Sequence, residues 1–226
     1  MIHFVCATPL NVVEFANEST LLDYCVALRA LNADMAHFDI AADNRHGLGK
    51  VYNSALSKLY AQRIVDSDFI VFLHDDVTIE DINLPRKLQE SAFDVVGLAG
   101  TTKLLFESPV LWNHARLGEH TLSGAVAHAN GTDIWMNSYG TFRKPCEVVD
   151  GLFIAVRLKR LIESGVRFDE QFDFHFYDLD FCLSARKAGL TIGTEPIWVV
   201  HRGLGDWDTQ SWHENERRFL EKWGAR

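Results

Sequence analysis

The apolar positions of this chain fall in short runs broken by glycine- and aspartate-bearing segments, and the runs alternate between strand-like and helix-like spacing. Residues 2–7 (Ile-His-Phe-Val-Cys-Ala) read as a first strand closed by Thr8-Pro9. Ser19 or Thr20 then caps a helix whose apolar face holds Leu21, Leu22, Cys25, Leu28 and Leu31. The step repeats. Residues 38–42 predict a strand, residues 43–49 a glycine-bearing loop, and Val51, Ala55, Leu56, Leu59 and Tyr60 one face of a second helix. Residues 69–73 (Phe-Ile-Val-Phe-Leu) form an unbroken apolar run rich in β-branched and aromatic side chains, as in a strand buried on both faces.

A short helix with Pro85 near its start leads to a strand over 94–99. Residues 148–156 predict another strand, followed by a short helix over 157–164 that Gly165 stops. Leu179, Cys182 and Leu183 mark a helix from about Asp178 to Gly189, and residues 191–201 read as a strand. Ser211 and Glu214 form a capping box for a last helix that docks Phe219, Leu220 and Trp223. This alternation predicts an α/β fold with a mostly parallel central sheet flanked by helices.

Residues 101–147 break the rhythm, with Trp112, Trp135, histidines and glycines but little period. A loop-rich stretch of this length is more often a binding element than an idle connection. It is therefore a candidate acceptor site, with a plain insertion as the alternative. The chain has 226 residues, 47% of them hydrophobic, enough for one large core. Its 31 acidic against 22 basic residues give a net charge of −9, which argues against nucleic acid as a partner and leaves few spare cations for an anionic substrate. Cys6, Cys25, Cys146 and Cys182 lie far apart with no CxxC pair, the pattern of buried reduced thiols. The first residues lack the features of a secretory signal, and no segment approaches the roughly 18 apolar residues of a membrane span. A cytoplasmic location is expected, with any membrane contact peripheral.

Three groups carry candidate chemistry. His74-Asp75-Asp76 follows the apolar run directly, at the strand edge where ligands collect in α/β sheets. Adjacent carboxylates there favour a divalent cation carrying an anionic substrate, while an Asp-rich turn closing the strand is the plainer alternative. Asp178, at a helix start, reads either as an N-cap or as a base that takes a proton from a substrate hydroxyl. His201 ends a strand and opens the glycine-punctuated loop 202–207, suited to moving over a ligand; two strand-end sites invite a shared metal.

The order of the motifs is more specific than any one of them: Asp43-Asn44 with Gly47, Gly49 and Asn53; His74-Asp75-Asp76; Asp150-Gly151; Phe168-Asp169-Glu170; Tyr177-Asp178-Leu179-Asp180; Pro196 and His201. In that order the chain resembles the family 2 glycosyltransferases of GT-A fold, especially the subset with a histidine before the acidic pair. The resemblance covers the chain from the first strand to His201 and is weakest over 101–147. It implies a single domain over 1–226, with a Rossmann-like nucleotide-sugar-binding half over 1–100 and an acceptor-binding, catalytic half over 101–226. It implies metal-dependent, inverting transfer from a nucleotide sugar, UDP being the family's usual nucleotide, to a hydroxyl of a glycan or glycolipid, often in polysaccharide biosynthesis. Asp76 takes the position of the DXD acid that holds Mn²⁺ or Mg²⁺, His201 that of a distal histidine completing the metal site, and Asp178 that of the base. Asp43, Asn44, Asn53 and Asp75 take positions of nucleotide or sugar contacts. His74 replaces the first DXD acid and Tyr177 replaces a glutamate, which leaves open whether His74 binds metal.

Two other readings compete. A nucleotidyltransferase usually needs a basic glycine-rich loop after the first strand, and Thr8-Pro9-Leu10-Asn11 offers none. A non-catalytic nucleotide-sugar or carbohydrate-binding module fits the aromatic middle segment and the two altered motif positions.

Overall fold

The computed structural model describes residues 1–32, 35–106, 112–113, 120–203, 205 and 207–224. In chain order its elements are β1 (Ile2–Ala7), α1 (Val12–Glu18), α2 (Leu21–Leu31), β2 (Ala36–Ala41), α3 (Leu48–Leu59), β3 (Phe69–Leu73), β4 (Val77–Ile79), α4 (Leu84–Glu90), β5 (Val95–Gly97) and β6 (Ala99–Thr101). They continue with β7 (Leu122–Asn130), β8 (Asp133–Gly140), β9 (Val148–Val149), β10 (Phe153–Arg157), α5 (Leu158–Ser164), α6 (Tyr177–Lys187), β11 (Ile192–Thr194), β12 (Val199–His201) and α7 (Gln210–Trp223). Among the described residues no helix is long and apolar enough to cross a membrane.

The central sheet has the order β11-β5-β10-β3-β1-β2, and β10 alone runs against its neighbours. This is the expected α/β layer. A second sheet, β4-β12-β7-β6-β9 with β8 paired to β7, was not expected from the pattern. Three of its strands come from segments that read as single strands. The run 94–99 divides at Leu98 into β5 of the central sheet and β6 of the second, 148–156 divides into β9 and β10, and 191–201 divides into β11 and β12. The apolar pattern hides the first division, because both sheets are buried at Leu98; Asp150-Gly151 and Pro196 mark the other two.

The causes of the divisions are local. A Cβ on Gly97 would lie 2.4 Å from that of Val149, and one on Gly100 2.3 Å from the Val148 carbonyl, so only glycine lets the strands approach there. Between β9 and β10 the Asp150 carboxylate accepts from Leu152 N at 3.0 Å and closes a tight turn. Pro196, with no N–H to give a ladder, separates β11 from β12.

The middle segment also departs from expectation, because much of it is a regular hairpin. β7 and β8 pair antiparallel around a Gly131-Thr132 turn, with Gly131 in the left-handed region at φ 59°. Alternation is invisible there, because β7 buries small alanines while Ile134, Trp135 and Met136 of β8 are exposed. Residues 107–111 and 114–119 of that segment lie outside the described residues, as do Leu204 and Asp206 of the loop after His201.

Helix starts follow their capping chemistry. α1 was not foreseen; Asn11 accepts from Val13 N and Glu14 N at 3.0 Å each while Glu14 accepts from Asn11 N, a full capping box. α2 starts after Thr20, with Ser19 Oγ accepting from Leu21 N. α7 is capped by Thr209, which accepts from Trp212 N at 3.2 Å, not by Ser211.

Beneath the ends of β3 and α6 lies an aromatic cluster that joins four parts of the chain. Phe168 stacks on Phe181 at 4.3 Å and meets Phe72 edge-on at 4.9 Å, and Tyr52 lies 4.8 Å from Phe72 and 6.0 Å from Tyr177. Such pairs add about 0.5–1.5 kcal/mol beyond the area they bury. Phe168→Ala is expected to cost about 3–5 kcal/mol of unfolding free energy, read by urea titration, since it removes the ring that touches both β3 and α6.

Candidate active site

Strand pairing across the second sheet assembles the first group of polar side chains. The antiparallel register of β4 and β12 sets His201 opposite Val77, and Arg202 N donates to the Asp76 carbonyl at 3.0 Å. Parallel pairing of β12 with β7 sets His201 opposite His128 as well. His74, at the end of β3, is fixed by its own N–H donating to the Leu152 carbonyl. The result brings His74, Asp76 and His201 together, with one ligand atom from each within 4.8 Å of the others.

The donor set suits a divalent ion. Asp76 Oδ1 and His201 Nε2 are 3.3 Å apart, and Asp76 Oδ1 and His201 Nδ1 are buried with no hydrogen-bond partner. A buried carboxylate oxygen without a partner costs free energy, and a cation between Asp76 and His201 would satisfy it. Gly203 keeps the space above them clear: a Cβ there would stand 2.4 Å from Asp76 Oδ2 and 2.8 Å from His201 Nε2. Burial raises the Asp76 carboxyl, but His201 and His74 outweigh it and hold the group below the usual carboxylate range. Burial lowers His201, yet Asp76 and Asp150 outweigh it and hold the ring above its ordinary value. His74, under burial above all, is held below its ordinary value and stays neutral at pH 7, the form that ligates metals.

Asp178 does not cap α6. That helix starts at Tyr177 behind Phe176, whose φ of 66° is left-handed, and Asp178 stands one position further in. Its Oδ2 accepts from Gly151 N at 2.9 Å. Burial first, and then the neighbouring Asp150, push its pKa up to about 7, against the N–H groups of Leu179, Asp178 and Gly151. A carboxyl of this kind exchanges a proton near neutral pH. Asp178, Asp150 and His74 line one cleft together with Phe174 and Trp207. Asp150 and Trp207 also line the adjoining one, with His128, Trp135, Tyr139 and His201.

On the other side of His74, a third cleft runs between Thr8-Pro9, Asn44, Gly47, Asp75 and Asp76. Asp43, at φ 52°, lines the cleft next to it with Asn44, Lys50 and Lys58. Asn44 shapes that loop, its amide donating to the His46 carbonyl and accepting from His46 N. Asn53 does not line either cleft. Its amide donates to the Phe168 carbonyl and to Glu170, and accepts from Phe168 N, so it clamps α3 to the segment before α6.

Sequence reasoning missed His128 as a site residue. Its Nε2 is buried without a partner, its ring stacks on Trp135 at 5.7 Å, and it lies 5.4 Å from the His201 ring. The Asn130-Gly131 dipeptide is the one turn signal in the sequence that a strand carries it. Asp150 was noticed only within a motif, yet its charge acts on His74, His128, Asp178 and His201.

Comparison with known proteins adds three findings. A model of a glycosyltransferase-like family matches residues 19–223. No curated protein sequence matches. Among solved structures, a fragment of S. aureus TarS is similar with a TM-score of 0.50 and 13% identity over 89% of this chain, which spans 60% of that one. The catalytic domain of Drosophila beta1,4galactosyltransferase 7, in complex with xylobiose, is similar with a TM-score of 0.52 and 13% identity over 96% of this chain and 79% of that one. At that identity the likeness is one of fold.

The raised pKa of Asp178 has a stability consequence. Between its ordinary 3.8 and about 7 the folded chain holds a proton that the unfolded chain releases, so this group makes stability fall as pH rises through that window. Asp178→Asn lacks the effect. Its melting curve should match wild type near pH 4 and lie above it at pH 8, the gap growing by at most about 1.4 kcal/mol per pH unit between them.

Proposed function

The chain belongs to the glycosyltransferase-like family and has the GT-A fold, and on that premise we propose a metal-dependent, inverting transfer of a sugar from a nucleotide sugar to a hydroxyl acceptor. The observation that carries this reading is the meeting of His74, Asp76 and His201, of which His74 also lines the cleft that holds Asp178. His74, Asp76 and His201 would hold Mn²⁺ or Mg²⁺. When bound, the cation supplies Lewis-acid neutralisation of the charge that grows on the departing nucleoside diphosphate. Neither the cleft that Asp178 lines nor the adjoining one has a lysine or arginine among its described lining residues to do this instead.

The remaining roles fall to the chain's own groups. Asp43, Asn44 and Asp75 contact the nucleotide or sugar in the clefts beside β1, while Asn53 is assigned to holding α3 in place. Asp178, positioned by Gly151 N–H, takes the acceptor's proton as its oxygen attacks the anomeric carbon, so a single displacement inverts the centre. The aromatic walls of the adjoining cleft, Trp135, Tyr139 and Trp207, offer ring faces to a glycan or the sugar of a glycolipid. UDP as the nucleotide is supported by a TarS fragment solved with UDP and by a mutant of the Drosophila enzyme solved with manganese, UDP-Gal and xylobiose. The four buried free thiols fit a reducing compartment such as the cytoplasm. An apolar core that includes residues of both sheets supports one domain with a donor half and an acceptor half.

Incubation with UDP-sugars, Mn²⁺ and candidate glycan acceptors should release UDP, and excess chelator should abolish the release. Asp178→Asn should keep donor binding and lose about 10²–10⁴-fold in turnover. The wild-type rate should rise with pH as Asp178 loses its proton, half-maximal at or below about 7, because a bound cation makes that proton easier to remove. Transfer that survives chelation, or normal turnover in Asp178→Asn, contradicts the mechanism. Pyrophosphate in place of UDP would favour nucleotidyl transfer, and donor binding without any product a binding module.

A further inference from the structure

Tyr177 and His74 are the two positions at which the chain parts from the motif order of its family, and in the structure they touch. His74 Nε2 lies 2.9 Å from the Tyr177 hydroxyl, which lies 2.8 Å from the Gly151 carbonyl. A carbonyl only accepts, so the phenol's single proton belongs to Gly151. Were it turned to His74, two oxygens would face each other at 2.8 Å with no hydrogen between them. Tyr52, which also meets Tyr177, has the Leu73 carbonyl for its own proton. The phenol oxygen is therefore an acceptor toward His74, and the imidazole proton sits on Nε2. The one lone pair left in the ring plane is on Nδ1.

We propose that Tyr177 is a positioning residue that holds His74 as its Nε2–H tautomer and so commits Nδ1 to the cation. This rests on the metal reading above. A ligating histidine commonly donates its other N–H to an oxygen partner, and loss of that partner commonly costs 10–100-fold in metal affinity. Here the partner is a phenol, itself oriented by a backbone carbonyl. The position of Gly151 is part of the device: a Cβ there would stand 2.4 Å from the Tyr177 oxygen and 2.9 Å from Asp178 Cβ. Its peptide groups serve both sides of the site, the carbonyl orienting Tyr177 and the N–H orienting Asp178.

The test reads metal binding and tautomer directly. Mn²⁺ affinity is measured by the electron-spin-resonance signal of the free ion for wild type, Tyr177→Phe, His74→Asp and the double variant, with folding checked by circular dichroism. Tyr177→Phe should bind Mn²⁺ about 10–100-fold more weakly. In the His74→Asp background the same change should cost nothing, because a carboxylate has no tautomer to fix; a purely structural role for Tyr177 would cost affinity in both backgrounds. Two-bond ¹H–¹⁵N correlation on histidine-labelled wild type, metal-free, should show His74 with its proton on Nε2, which decides the matter even if Tyr177→Phe does not fold. Equal affinities of wild type and Tyr177→Phe, or a proton on His74 Nδ1, overturns the assignment alone. Mn²⁺ binding that Asp76→Asn leaves unchanged overturns the metal reading on which it rests.

Discussion

The antiparallel pairing of β4 with β12 is the constraint on which the candidate site depends. It sets His201 opposite Val77 and so beside Asp76, two residues that the chain otherwise keeps far apart. Each segment is only three residues long, and neither would hold that geometry alone. Packing of β9 on α6, of β4 on α2 and of β6 and β9 on β11 holds the second sheet in place and makes the register definite. A slip of one residue would turn His201 to the opposite face.

The chemistry sits where the chain crosses from one sheet to the other. His74, Asp75 and Asp76 join β3 to β4, and Asp150 and Gly151 join β9 to β10. Crossings are where strand ladders end and backbone groups become free for other partners, so polar side chains gather there without breaking the core. Gly151 illustrates the economy of such a turn, with its N–H on the Asp178 carboxylate and its carbonyl on Tyr177. The electrostatics follow from the same crowding. Asp150 helps raise Asp178 and His201, and burial keeps His74 neutral beside them.

What was legible in the sequence is what a single strand or helix decides. The run 69–73 announced β3 because five apolar residues end abruptly in His74-Asp75-Asp76, and Gly165 at φ 67° stops α5 as its position suggested. The division at Leu98 was not legible, because burial on both sides leaves no change of period there, whereas Asp150-Gly151 and Pro196 are turn and strand-breaking signals that stand in the sequence. His128 was hidden by the small residues of β7, and the task of Asn53 depends on a segment more than a hundred positions away. Asp178 read as either a cap or a base, because aspartate is a preferred cap at a helix start, and only the fold supplies Gly151 as the donor to its carboxylate.

The central claim is that His74, Asp76 and His201 share one divalent cation beside Asp178. Anomalous diffraction at the manganese edge, from crystals grown with Mn²⁺ and UDP, tests it most directly. One strong peak is expected, within ligand distance of a nitrogen of each histidine and of a carboxylate oxygen of Asp76. A peak bound elsewhere, or UDP seated in the clefts beside β1 with no metal at these three residues, would contradict it.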